Sequence, residues 1–173
     1  LSSYGQMKRL DVASSNIAEA FTLNFNHDNK QKDTEELTPL HFIRLELIDS
    51  KGNLLSDNFY WRNGVKELDY TALNTLPEAD LSCKLVRRIP EEGKLILRIK
   101  NNAATVAVAN RLRLVNRVTG KRVLPAIMSD NYITLMPGEE RVVTVEATAE
   151  LLKGGVDVLL KQYGHPEKIV LDL

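Results

Sequence analysis

Three pairs of adjacent carboxylates, Glu35-Glu36, Glu91-Glu92 and Glu139-Glu140, are the residues of this chain best suited by type to acid–base cleavage of an acetal. That chemistry needs one carboxyl held protonated and a second held ionised. Raising the pKa of one member takes an apolar or like-charged surrounding. Each pair instead stands beside Pro, Gly or Thr in a stretch that reads as a turn or loop, where water reaches both members, so all three are read as solvated charge. His27, His41 and His165 fit metal binding no better, because none has a second histidine or a cysteine at i+2 or i+4, and a zinc or iron site needs convergent ligands. Cys83 is the only cysteine, which excludes an internal disulfide; its alternation with Leu81 and Leu85 makes it a core residue. There is no Gly-x-Ser-x-Gly elbow, phosphate-binding glycine loop, His-Glu-x-x-His helix or calcium loop. No catalytic residue, no metal ligand and no cofactor is therefore assigned.

Two groups remain as candidates for contact with a partner or a sugar. In Phe59-Tyr60-Trp61, successive side chains on a strand point to opposite faces, so at least one ring leaves its own core. Tyr60 and Trp61 are the residues expected to meet a neighbouring domain or, less readily, a sugar ring, since stacking platforms need several coplanar aromatics and only 6% of the chain is aromatic. Asp130 and Asn131, after Ser129, have side chains that bond their own backbone, so turn-making is their first reading and contact with a ligand their second.

The elements that position these residues follow from period-two alternation, the mark of half-buried strands. Phe21, Leu23 and Phe25 alternate with polar neighbours, as do Ile43, Leu45 and Leu47; the turn at 49–53 then leads into a second run over 54–61, making a hairpin. Residues 26–37 hold almost nothing apolar and read as a mobile loop. Alternation breaks over 62–80, where Pro77 forbids a central strand and 70–74 allows one helical turn. Strands return at 81–89, 95–99, 106–115, 123–128, 132–135, 142–145, 156–163 and 169–173, with at most one helical turn at 147–152. These are enough strands for one antiparallel sandwich after Pro77, whereas residues 1–62 cannot close two facing sheets. The expectation is an all-β chain: an immunoglobulin-like antiparallel β-sandwich at 80–173, a linker at 63–79, and at 1–62 the later strands of an incomplete preceding β-sandwich.

Composition narrows the partners. With 173 residues, 43% hydrophobic and 27% charged, the chain is of the globular class. Lys+Arg and Asp+Glu are both 23, so no basic excess favours nucleic acid or an anionic membrane, and no stretch approaches the ~20 apolar residues of a membrane span. The first residue is Leu1, and the expectation is a chain cut from a longer polypeptide whose targeting signal lies upstream.

Beyond these readings, four blocks carry a resemblance: residues 43–52, Asn58-Phe59-Tyr60-Trp61, residues 69–77 ending in Leu76-Pro77, and residues 123–139 with Ser129-Asp130-Asn131 and Pro137-Gly138-Glu139. In order and spacing they resemble the C-terminal region of family 2 glycoside hydrolases, in the exo-β-D-glucosaminidase and β-mannosidase branch. The resemblance runs from about Leu40 to Tyr163. It implies a parent enzyme whose central barrel carries two glutamates, acid/base and nucleophile, neither of them in this chain. It further implies that the chain is a non-catalytic accessory region packed on that barrel, in a secreted or periplasmic protein acting on polysaccharide, with an oligosaccharide as a further partner. A stand-alone carbohydrate-binding module and a protein-interaction sandwich are the alternatives.

Overall fold

The computed structural model describes residues 7–20, 40–63, 68–152 and 155–173. The strand expected at 21–25, the loop expected at 26–37, His27 and Glu35-Glu36 lie outside the described residues. The chain divides into two units, Leu1–Tyr70 and Thr71–Leu173.

In the first unit, β1 (Leu40–Ile48) and β2 (Leu54–Asn63) form a two-stranded antiparallel sheet in which Phe42 faces Trp61, Ile43 faces Tyr60 and Arg44 faces Phe59. Asp49 builds the turn. Its Oδ1 accepts the N–H groups of Lys51 and Asn53, both at 2.8 Å, and its Oδ2 accepts the Asn53 amide at 2.8 Å. The Asn53 amide bond, ahead of the turn N–H bonds, holds the Asp49 carboxyl below the usual carboxylate range. Gly52 closes the turn with φ +87, a conformation that a side chain would resist.

In the second unit, the strands are β3 (Leu81–Ile89), β4 (Lys94–Asn101), β5 (Ala107–Asn116), β6 (Ala126–Met128), β7 (Ile133–Leu135), β8 (Glu140–Ala147), β9 (Val156–Lys161) and β10 (Glu167–Asp172). They pair as two four-stranded sheets, β10-β9-β5-β7 and β3-β4-β8-β6, and every strand pair within them is antiparallel. This is the immunoglobulin-like sandwich expected of an all-β chain. Leu95, Leu97 and Ile99 of β4 and Val143 and Val145 of β8 point inward, as do Leu112 and Leu114 of β5 and Val158 and Leu160 of β9. Their intervening neighbours face out, so alternation and burial coincide.

Three local features depart from simple alternation. The strand expected at 123–128 is confined to Ala126–Met128, because the Val123 N–H is already taken by Leu114 O of the opposite sheet at 2.9 Å. Helical turns form at Thr71–Thr75 and Ala149–Leu152 as short 3-10 segments. Residues 71–79, read from sequence as part of a linker, are tied into the second unit: Leu73 and Ala79 are buried, and the Gln162 amide brackets Ala79, accepting its N–H at 3.0 Å and donating to its carbonyl at 2.6 Å. His165 Nε2 lies 3.1 Å from Leu76 O, and Lys168 pairs with Glu78 at 2.7 Å.

Gly93, between β3 and β4, has no room for a side chain. Its φ is +62, and a Cβ would stand 1.9 Å from Ala147 O. The close approach lets Gly93 O accept the Ala147 N–H at 2.9 Å, which aligns the start of β4 with the end of β8.

Candidate functional site

The aromatic triplet is split between the faces of the hairpin. Phe59 and Trp61 share a face with Phe42 and Arg44, whereas Tyr60 lies on the other with Ile43. Phe42 and Phe59 pack at 5.4 Å between ring centroids, tilted by 37°, so their rings are not coplanar. Beside them Arg44 pairs with Glu46 at 2.9 Å and with Asp57 at 3.6 Å. Trp61 is half-buried, and Tyr60 is 44% exposed, the one ring of the triplet that presents a large surface to solvent.

Asp130 and Asn131 lie in the second unit, where the chain leaves β6 in one sheet and enters β7 in the other. Side chains take over the hydrogen bonding across this switch. Ser129 exchanges two bonds with Thr144 of β8: its N–H donates to Thr144 O at 2.9 Å, and its hydroxyl accepts the Thr144 N–H at 2.9 Å. Asn131 does the same for β5. Its Oδ1 accepts the Leu112 N–H at 2.8 Å, and its Nδ2 donates to Leu112 O at 3.2 Å. An amide side chain thus supplies both bonds that a neighbouring strand would have given. Asn131 Oδ1 also accepts the Tyr132 N–H at 2.9 Å, and Tyr132 adopts φ +56, an uncommon conformation for an aromatic residue. The Asn131 amide is therefore engaged on both ends within the fold. Asp130 stays at the surface, 3.9 Å from Arg141, and the Tyr132 ring is 64% exposed.

Several polar residues that sequence reading passed over prove to hold the sandwich together. Asn101 Nδ2 donates to Thr105 O at 2.8 Å and to Leu135 O at 3.0 Å, joining β4 to the facing sheet, and its Oδ1 accepts the Ala103 N–H. Asn110 Nδ2 donates to Ala107 O and Ile133 O at 2.9 and 2.8 Å, bridging the register shift between β5 and β7. The signal in sequence was their inward phase: Asn101 lies two residues after Ile99, Asn110 two before Leu112, and Gln162 two after Leu160.

On the outer face of the other sheet, Glu167 accepts from Arg111 Nη2 at 3.2 Å and from Arg113 Nε at 2.9 Å. Burial opposes ionisation of the Glu167 carboxyl, but these hydrogen bonds and the two guanidinium charges together outweigh it and hold its pKa below the usual glutamate range. Burial pushes the Cys83 thiol up to about 11, so it stays protonated and unreactive at neutral pH. Among the described residues no group of three or more His, Cys, Asp or Glu is placed to hold a metal ion, and no helix is long and apolar enough to cross a membrane.

Comparison with known proteins gives one direction. The chain is 32% identical over 155 residues to an exo-β-D-glucosaminidase of Hypocrea virens, a match covering 77% of this chain and 17% of that protein. It is 35% identical over 130 residues to the exo-β-D-glucosaminidase of Hypocrea jecorina, covering 62% of this chain and 14% of that protein. The chain thus spans less than a fifth of the length of these relatives. Among solved structures, the exo-chitosanase of Amycolatopsis orientalis shares the fold, with a TM-score of 0.63 at 22% identity over 78% of this chain and 18% of that one. A family model described as the exo-β-D-glucosaminidase Ig-fold domain matches residues 58–163. That span is more than half of the chain and takes in the aromatic triplet, the bracketed segment before β3 and the sheet switch, and by it the chain belongs to the family of exo-β-D-glucosaminidase Ig-fold domains.

Proposed function

We propose that this chain is a non-catalytic accessory region of a retaining exo-β-D-glucosaminidase of glycoside hydrolase family 2, acting in polysaccharide degradation. The observation that carries the reading is the family match over residues 58–163, from a domain type named for that enzyme, in a chain that spans 17% of the Hypocrea virens relative. The reaction itself, with its acid/base and nucleophilic carboxylates about 5 Å apart, takes place in a barrel elsewhere in the parent polypeptide. The hairpin of β1 and β2 belongs to a preceding sandwich, and residues 71–173 form the immunoglobulin-like domain. Tyr60, the exposed ring of the hairpin, and Asp130, the half-buried carboxylate of the sheet switch, are contact residues toward neighbouring domains. The parent is a secreted or periplasmic protein.

The full-length polypeptide, assayed on aryl β-D-glucosaminide and aryl β-D-mannoside with residues 1–173 as control, is expected to hydrolyse the glucosaminide while the control hydrolyses neither. Preference for the mannoside would move the parent to the β-mannosidase branch. Tight binding of glucosamine oligosaccharides by residues 1–173 alone, lost in Trp61→Ala, would replace the accessory reading with that of a carbohydrate-binding module.

A further inference from the structure

Met128 ends β6 at the entry of the sheet switch. Register on β8 sets it opposite Val145, and its side chain packs half-buried against the core. Asn131 Nδ2 donates to Met128 Sδ at 3.2 Å and to Leu112 O at 3.2 Å. An amide nitrogen has two hydrogens, so both are spent, one on the sulfur and one on β5. Asn131 Oδ1 is spent as well, on the N–H groups of Leu112 and Tyr132. The division favours β5 because a thioether is a weak acceptor. Met128 also lines a partly open cavity of about 200 Å³, with Leu114, Val123, Ala126 and Asn131 among its other walls. A cavity of that size admits a molecule little larger than water, which takes ~30 Å³ in the liquid. Of the other two methionines, Met7 is 91% exposed and Met136 is half-buried, and neither sulfur receives a hydrogen bond among the described residues.

We propose that Met128 is a site of oxidation by peroxide, and that its sulfoxide draws Asn131 away from Leu112, so that the sheet switch loosens in response to oxidant. The thioether sulfur gives an electron pair to one oxygen of hydrogen peroxide; the S–O bond forms and the O–O bond breaks. The departing hydroxide takes the proton of the transferred oxygen and leaves as water, so sulfur is oxidised by two electrons and peroxide is reduced by two. The product puts a strong acceptor where the thioether was a weak one. Asn131 Nδ2 already reaches the sulfur and has no third hydrogen, so the sulfoxide oxygen competes directly with Leu112 O. Packing against the core also resists the added volume. Release of Leu112 frees the middle of β5, where Asn131 stands in for β7. Reduction of the sulfoxide returns the thioether, which makes the change reversible.

Treatment of the full-length polypeptide with dilute hydrogen peroxide, followed by peptide mass mapping and hydrogen exchange, tests the proposal. Met128 is expected to gain one oxygen atom several-fold faster than Met136. Exchange of the Leu112 amide hydrogen is then expected to rise several-fold, and methionine sulfoxide reductases for both sulfoxide epimers are expected to reverse the rise. Met128→Leu keeps an apolar side chain of similar volume, and in this variant peroxide is expected to leave exchange at Leu112 unchanged. Oxidation of Met128 no faster than that of Met136, oxidation of Met128 without a rise at Leu112, or the same peroxide-driven rise in Met128→Leu overturns the inference. These readouts do not depend on which glycoside the polypeptide hydrolyses, so the accessory reading stands or falls separately.

Discussion

The hairpin of β1 and β2 and the sandwich of β3 to β10 obey the same alternation of apolar and polar residues, yet they bury their side chains very differently. In the sandwich, alternation meets a facing sheet, and Leu97, Ile99, Leu112, Val143 and Val158 lose all contact with solvent. In the described hairpin no large apolar side chain is fully buried, and Leu47 and Leu55 of its two strands stand mostly exposed. Alternation specifies a strand and its two faces; burial comes only from what packs against a face. The difference marks the sandwich as the part that carries its own core, at roughly 25 cal/mol for each Å² of apolar surface removed from water.

Substitution can break that contrast or sharpen it. Leu97→Ala in the sandwich is expected to cost about 3 kcal/mol by denaturant titration, because it leaves a cavity among side chains that cannot collapse into it. Leu47→Ala in the hairpin is expected to change stability by no more than about 0.5 kcal/mol, and equal losses at the two sites would erase the contrast. Asn131→Ala removes both partners of the Leu112 backbone and is expected to cost about 2 kcal/mol, with faster hydrogen exchange confined to the middle of β5.

A smaller effect follows from Glu167. Its pKa is depressed in the folded chain, so the unfolded state takes up the proton first as the solution is acidified. The contribution to stability is full above the ordinary glutamate pKa and is lost as pH falls through the lower, folded value. Glu167→Gln should flatten that acid limb in a pH series of melting temperatures. Smallest of all, Tyr60→Ala should leave the stability of the sandwich within about 0.5 kcal/mol of the parent value.

Local rules made most strands legible. The hairpin turn at Asp49 to Asn53 was visible from residue types alone, and strand ends fell within a few residues of those observed. What stayed hidden depends on partners distant in sequence. Leu73 and Ala79 read as linker because Gln162, which brackets Ala79, lies 83 residues away. Val123 read as part of β6, but Leu114 of the other sheet had already claimed it. Asp130-Asn131 reads from sequence as a turn, whereas the mimicry of a strand by Asn131 requires knowing that β7 stops short of Leu112. The meeting of Lys84 with Arg98 was unreadable for the same reason, since it depends on the register of β3 on β4.

The sheet switch also sets where the chain tolerates a change in length. Between β6 and β7, Ser129 must meet Thr144 on one side while Asn131 meets Leu112 on the other. An extra residue inserted between them would carry one of the two out of reach, and every side chain beyond it would change face. The turn at Thr119-Gly120 bears no such double obligation to two sheets, with Gly120 in open space and Asn116 bonding Val118, Thr119, Gly120 and Lys121 within the turn itself. Loops between strands can therefore drift in length over evolution, while these four residues stay countable one for one.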